Sequence, residues 1–435
     1  MQLSLRLLIV LLATAAALAM TPEALENCVL LAGAGLLLIT TSMAYGADLT
    51  AALEPFRRLR FAIAFPAIWM TLQILPLPLS AANPIWRLTS NAFGDSHLWG
   101  HISIDPSRTF ASLMAYLGVF SITVSASLIA RDRRRAETAF LALFAMTSLL
   151  VAVVALSTFT PIAILPSLDH QGSTALVAWS GLSVVLGSAM VVMTLERHFT
   201  RREASHRPTD FSLAGRLFLT ILAIAISVAA LASIGSTRHL IPTAAAVYSI
   251  FFVAIARRLG ARPWPAVILF SIFALLLAAM SFPYGEGPLP FAFGLSSENG
   301  DGALTIAMRA LTDTPWVGHG VGTFTSLARV YADIGISVPV LPPTTAALVA
   351  IEWGIPALVA LILASIQLIV FLFRGAIRRG RDSYFPSASS ASLLCLGIGS
   401  FLDIGLLSPL IWVVAAVLVG IGLAQSSGRT SSLDS

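Results

Sequence analysis

Apolar residues along this 435-residue chain come in runs of about twenty, set apart by short polar intervals. As a helix, a run of that length covers the roughly 30 Å of bilayer hydrocarbon. The period-2 alternation of an outer-membrane barrel is missing from the pattern. The runs predict spans at about 5–21, 27–45, 61–78, 109–130, 138–159, 174–195, 214–234, 239–256, 264–281, 354–373, 388–405 and 408–425. The expected fold is therefore an all-α polytopic membrane protein with about twelve transmembrane helices. The first run also reads as a signal peptide, because Arg6 precedes the small-residue stretch "AAALAM".

Composition agrees with the pattern. Hydrophobic residues make up 57% and charged residues 11%, against about 25% charged in a soluble domain. All 26 basic residues are arginine, which excludes a phosphate-loop lysine and Schiff-base chemistry. Cys28 and Cys395 both lie in apolar runs and read as inert core thiols, with no disulfide framework or zinc site.

The arginines predict orientation. With Arg6 inside, the inner segments are "RRLR" (57–60), "RDRRR" (131–135), "RHFTRREASHR" (197–207), "RRLGAR" (257–262) and "RGAIRRGR" (374–381). Together with Arg216 and Arg429 they leave only Arg87, Arg108, Arg238, Arg309 and Arg329 for the other side. By the positive-inside rule both termini are cytoplasmic. The net charge of +5 is then a topology signal rather than a nucleic-acid surface. The expected organisation is an N-terminal bundle over 1–281 with a far-side loop at about 79–108, a long far-side loop over 282–353 between the ninth and tenth spans, C-terminal helices over 354–426, and a cytoplasmic tail over 427–435. In a two-membrane bacterium the far side of the inner membrane is the periplasm.

The polar loops hold the candidate chemistry. In "TPWVGHGVGTF" (Thr314–Phe324), Gly318, Gly320 and Gly322 alternate around His319 and are bracketed by aromatics. Glycines at this spacing make either a tight structural turn or a run of open amides able to bind phosphate oxygens. His319 is exposed on this reading by its neighbours' lack of side chains. Upstream, Ala303, Ile306, Ala307, Ala310 and Leu311 form a helical apolar stripe ended by Pro315, which places Arg309 on an amphipathic helix against the membrane face. Downstream, Gly354 and Pro356 divide a long greasy run and leave Glu352 and Trp353 at the membrane boundary, where a carboxylate need not be desolvated. In the first loop, Asp105-Pro106-Ser107 opens a helix; His97, His101 and Arg108 there are either parts of a rigid connector or face a polar ligand. Asp403 is the one acid placed within a span, either lining a cavity or standing at a helix end.

These segments, taken in order, resemble the O-antigen ligase and polymerase family of bacterial envelope glycosyltransferases. "ALTDTPWVGHGVGTFTSLARVY" (Ala310–Tyr331) is similar to that family's acid, proline and G-x-G-x-G-[ST]-F segment with a later tyrosine. "EWGIPALVALIL" (Glu352–Leu363) resembles its E-x-G-[IL]-P helix start. "QILPLP" (Gln73–Pro78), "ISIDPSRT" (Ile102–Thr109) and "FLDIGLLSP" (Phe401–Pro409) resemble members encoded with exopolysaccharide clusters. The resemblance implies a GT-C-like membrane fold and glycan transfer from a polyprenyl-diphosphate donor at the periplasmic face. Its partners would be that donor, membrane lipid and other polysaccharide-assembly proteins. No cofactor or metal is implied if arginines carry the diphosphate charge. The candidate catalytic residues are His319, Arg309 and Asp403; the candidate substrate-binding residues are Gly318, Gly320, Gly322, Arg329, Glu352 and Arg108.

The sequence departs from the family's pattern in three places. "NGDGALT" (Asn299–Thr305) lacks the usual arginine and tryptophan. "VLPPTTAALVA" (Val340–Ala350) lacks the histidine–asparagine pair, and "LPSLDHQGSTALV" (Leu165–Val177) lacks an asparagine–arginine–asparagine turn. His319 or His170 would have to stand in for the histidine and Arg309 for the arginine. A non-catalytic accessory protein and a lipid-linked glycan transporter are the alternatives.

Overall fold

In hydrocarbon there is no water to satisfy backbone N–H and C=O groups, so a chain this apolar is limited to helices or a closed barrel. The computed structural model is helical. It describes residues 2–18, 23–45, 53–94, 99–159, 170–204, 211–234, 239–258, 301–332, 342–379 and 382–426, with isolated positions between 265 and 272. Among these the helices are α1 (Gln2–Leu18), α2 (Glu23–Tyr45), α3 (Glu54–Arg58), α4 (Arg60–Ile74), α5 (Pro84–Phe93), α6 (Pro106–Ile129), α7 (Arg133–Phe159) and α8 (His170–Ala204). They continue with α9 (Phe211–Ile234), α10 (Leu240–Arg258), α11 (Asp301–Thr312), α12 (Phe324–Tyr331), α13 (Thr345–Trp353), α14 (Ile355–Arg378), α15 (Tyr384–Gly399) and α16 (Pro409–Ser426). One isolated antiparallel bridge joins Leu77 to Gly100.

Seven described helices are long and apolar enough to cross a membrane: α6, α7, α8, α9, α10, α14 and α16. Three shorter apolar helices, α1, α2 and α4, fall on the first three expected spans. The eleventh expected span is the 16-residue α15, and the ninth, 264–281, lies outside the described residues except for isolated positions. The chain is thus an all-α polytopic membrane protein. Helix α8 is its axis, with 89% of its apolar window buried, against 17% for α14 and 22% for α9, which turn their apolar sides outward.

Small and hydroxylic residues let the central helices approach. Ser183 on α8 pairs with Ser148 on α7 at 3.0 Å and with Ser227 on α9 at 2.9 Å. A Cβ on Gly420 of α16 would stand 2.5 Å from the Thr123 carbonyl of α6. Close contacts of this kind hold helices together where lipid offers no hydrophobic drive.

The bundle has two distinct ends. At one, Arg133 and Glu137 (α7), Glu196 and Arg197 (α8), Arg257 (α10) and Asp382 beside α15 form an ionic network. Gln425 near the end of α16 reaches the Ala130 carbonyl after α6 and accepts from Arg379 after α14. The C-terminus of α4, the N-terminus of α6 and helices α11–α13 gather at the other. Ile306, Ala307 and Ala310 of α11 pack there on Phe324, Leu327 and Ala328 of α12 and on Ala347 and Ile351 of α13. The apolar stripe of α11 therefore buries against neighbouring helices rather than against the membrane face, because two short helices supply the apolar partners.

Candidate functional site

The glycine stretch lies between α11 and α12. Helix α11 stops ahead of Pro315, whose carbonyl accepts from the Gly318 N–H at 2.9 Å to turn the chain. Gly318, Gly320, Gly322 and Gly354 all hold positive φ, at 76°, 110°, 80° and 85°. Two of them show why glycine is required. A Cβ on Gly320 would lie 2.2 Å from Ser103 Oγ, and one on Gly354 would lie 2.1 Å from the Trp316 carbonyl oxygen. Conformation and space both exclude a side chain at these positions.

The amides freed by this turn do not wait for a phosphate. Gly322 N–H and Phe324 N–H both donate to the Glu352 carboxylate at 2.9 Å. Gly320 N–H donates to the Glu352 carbonyl at 3.0 Å, and His319 N–H to the Ile351 carbonyl at 3.2 Å. Glu352 thus occupies the anion position at the N-terminus of α12, where the helix dipole favours negative charge. The expectation that this carboxylate escapes desolvation is overturned, since Glu352 is buried. Burial pushes its pKa up to about 7, against the opposing pull of the Gly322, Phe324 and Thr323 amides and the Arg108 charge.

Gln73, at the end of α4, completes the knot. Its Nε2 donates to the Val317 carbonyl at 2.8 Å and the Glu352 carbonyl at 3.1 Å, while its Oε1 accepts from Val321 N–H at 3.2 Å. Trp69 Nε1, on the same helix, donates to the Trp353 carbonyl at 3.0 Å. From the first loop, Ile104 N–H donates to the His319 carbonyl at 2.9 Å, and Thr109 Oγ1 to the Val321 carbonyl at 3.0 Å. Four segments distant in sequence are therefore tied around one turn.

His319 sits inside this knot rather than on its surface. Its ring is buried, and desolvation lowers its pKa to about 4, against the opposing charge of Asp313. Its Nδ1 faces Asn83 Nδ2 at 3.4 Å. His101 is half-buried, with Nδ1 2.7 Å from the Ile74 carbonyl and its ring against Trp86. That makes His101 part of the connector. His97 lies outside the described residues, as does the side chain of His170.

The three arginine candidates remain at the surface around α12. Arg108 Nη1 donates to Thr325 Oγ1 at 2.5 Å, and its Nε lies 3.5 Å from Asp105, which caps α6. Arg329 is exposed one turn beyond Thr325, on the same helix face. Arg309 is exposed on α11 and donates to the Tyr331 carbonyl at 3.4 Å, while Tyr331 OH donates to Asp313 at 2.9 Å.

Asp403 is elsewhere. Helix α15 ends at Gly399, so Asp403 occupies the break before α16 rather than the interior of a span. Its Oδ2 lies 3.2 Å from His239 Nδ1, and its Oδ1 accepts from Gly405 N–H at 2.7 Å. Its carbonyl accepts from Thr345 N–H and Oγ1 at the start of α13. Glu352 stands at the other end of that helix, about 10 Å along the axis. His319, Arg309 and Asp403 consequently do not converge on one point.

No protein-family model matches the chain, and no curated protein matches it either. Among the described residues, no three histidine, cysteine or carboxylate side chains are grouped to hold a metal ion.

Three polar residues of the site had no counterpart among the sequence candidates: Gln73, Asn83 and His239. Gln73 left a trace, a lone amide at the end of an apolar run immediately before a proline-rich segment.

Proposed function

We propose that this chain is an O-antigen ligase- or polymerase-like protein of the bacterial inner membrane. It engages a polyprenyl-diphosphate-linked glycan on the side opposite its arginine-rich loops. The observation that supports this reading is a pair of exposed guanidiniums: Arg108 of α6, bonded to Thr325 of α12, and Arg329, one turn beyond Thr325 on α12. Two such groups match the charge and the paired oxygens of a diphosphate. Beneath them the knot supplies a rigid floor in which the carboxyl of Glu352 is already occupied by backbone amides. In the transfer, the acceptor hydroxyl oxygen bonds to the anomeric carbon and loses its proton. The bond from that carbon to the diphosphate breaks, and the polyprenyl diphosphate leaves, with the proton passing to it through water.

The test is binding of a polyprenyl-diphosphate oligosaccharide to the full chain in lipid nanodiscs, paired with complementation of a deletion strain read as polysaccharide chain length. Arg108→Ala and Arg329→Ala should each weaken binding by roughly tenfold, the scale of one charge-assisted hydrogen bond, and shorten the chains. A wild-type protein that neither bound nor consumed the donor would sink the reading.

A second reading, a non-catalytic accessory protein, draws support from a separate observation. Glu352 and His319 are buried in the knot, Asp403 faces His239, and the carboxylate beside Arg108 belongs to the cap residue Asp105. Donor binding without consumption would select it.

A further inference from the structure

The knot leaves one ring nitrogen unaccounted for. His319 is 7% exposed, and its Nε2 is fully buried with no hydrogen-bond partner. Asn83 determines which nitrogen carries the proton. The Oδ1 of Asn83 accepts from Ile85 N–H at 3.2 Å to cap α5. That orients the amide, so its Nδ2, a pure donor, faces His319 Nδ1 at 3.4 Å. Nδ1 is therefore the acceptor, and the neutral ring carries its proton on Nε2.

The backbone around this ring is held firmly. The N–H of His319 is bound to Ile351 and its carbonyl to Ile104, between two glycines at φ 76° and 110°. A buried N–H donor with no acceptor is destabilising, and native proteins rarely keep one without a use. This one is stitched to the turn that opens α6, four residues from Arg108.

We propose that His319 is a neutral hydrogen-bond donor for an oxygen of the lipid-linked glycan, phosphoryl or sugar, with Asn83 as the positioning residue that keeps the proton on Nε2. The proposal rests on the glycan-donor reading above. It replaces a histidine acting as a base with one that only donates, a role that a ring held neutral by burial performs throughout the physiological pH range.

Three variants of the full chain in nanodiscs test it. His319→Leu removes the orphan donor, so its melting temperature should hold or rise by roughly 2–5 °C, while affinity for a polyprenyl-diphosphate oligosaccharide falls about tenfold. His319→Gln, which places an amide donor near Nε2, should recover part of that affinity. Asn83→Asp keeps the cap but, at about pH 8, draws the proton to Nδ1. Its affinity should fall at unchanged melting temperature, with the ¹⁵N shifts of the ring reporting the exchanged tautomer. Polyprenyl diphosphate without sugar and the free oligosaccharide, used as separate probes, show which oxygen is contacted through the probe whose affinity falls. Wild-type binding together with undiminished binding by His319→Leu would overturn this proposal alone, leaving Nε2 a buried defect or a water site. A bare Nε2 in the wild-type ¹⁵N spectrum would do the same. Failure of the wild type to bind any of the probes would overturn the glycan-donor reading and this proposal with it.

Discussion

The two ends of the bundle meet the same demand, joining helices where they leave the apolar layer, by opposite means. At the arginine-rich end, long side chains bridge α7, α8, α10 and the start of α15. Arg133 contacts Asp382 and Glu137 at 3.0 Å, and Arg257 contacts Glu196 at 2.7 Å. At the other end most bridging groups are backbone amides and carbonyls, received chiefly by the buried side chains of Gln73 and Glu352, with Thr109 and Trp69 adding one bond each. Flexible, partly exposed ion pairs tolerate displacement and gain little each. Short bonds in a dry interior give no such latitude, because every group left unpaired keeps its full desolvation cost. The knot should therefore be brittle and the ionic end forgiving.

Gly354→Ala is the hardest test of brittleness. The added methyl would meet the Trp316 carbonyl at 2.1 Å and the Gly318 nitrogen at 2.9 Å, at a φ of 85°. Both neighbours are backbone, so neither has a rotamer through which to move aside. A loss of more than about 4 kcal/mol is expected, enough to deplete folded protein from the membrane. Quantifying protein that is solubilised by mild detergent and then resists protease checks this. A folded Gly354→Ala protein at wild-type levels would show the knot to be pliable.

Glu352→Gln is next, and pH sharpens it. The amide accepts from only one of Gly322 and Phe324, so about 1–3 kcal/mol should be lost. The folded pKa of Glu352, about 7, lies above its ordinary 4.5, so its contribution grows as pH falls from 7 toward 4.5 and is lost as pH rises through 7. His319, at about 4 against an ordinary 6.5, does the reverse: its contribution is present above 6.5 and lost as pH falls through 4. Each is worth on the order of 3 kcal/mol, and in the wild type they offset one another between pH 6.5 and 4.5. Thermal melts over that window should show Glu352→Gln losing stability in acid relative to wild type, and His319→Leu gaining it. Parallel profiles for all three proteins would contradict the burial of both groups.

The brittle end was only half legible in the sequence. Alternate glycines announced a strained turn, and Gly354-x-Pro356 announced the break before α14, because both are local statements about φ and missing donors. The runs of apolar residues likewise marked the helices. What the turn binds was not legible. Val317 and Gln73 are 244 positions apart, and His319 and Asn83 are 236 apart; one sequence carries no signal for pairing over such distances. Glu352 was misread for a physical reason. A carboxylate between an apolar run and a glycine suits a wet boundary, and only the position of the amides shows that its counter-charge is backbone. For Asp403 only the span boundary was drawn too far, because apolar neighbours extend past Gly399 although the helix does not; its alternative place at a helix end is where it stands.

Asp403 stands between the two strategies, a residue whose carboxylate faces His239 Nδ1 and that also receives backbone donors from Gly405 and Thr345. Its effect should be intermediate. In a double-mutant cycle of Asp403→Asn and His239→Ala, a coupling of about 1 kcal/mol is expected. Since the Asp403 carbonyl holds the start of α13 in either variant, the melts should stay cooperative. A coupling near zero would place the pair with the exposed ion pairs of the other end.

The smallest effect belongs to Arg133→Ala. The guanidinium is half-exposed and shares Glu137 with Arg197, so the remaining pair compensates in part. Less than about 1 kcal/mol should be lost. The comparison is completed by salt rather than by the substitution. At about 1 M salt the Debye length shrinks to roughly 3 Å, which weakens the wild-type network and should erase the difference between wild type and Arg133→Ala. The difference between wild type and Glu352→Gln should persist at the same salt, because no ion reaches a carboxylate enclosed by its own backbone donors. If salt abolished both differences alike, the knot would be wet, and the contrast between the two ends would fail at its physical root.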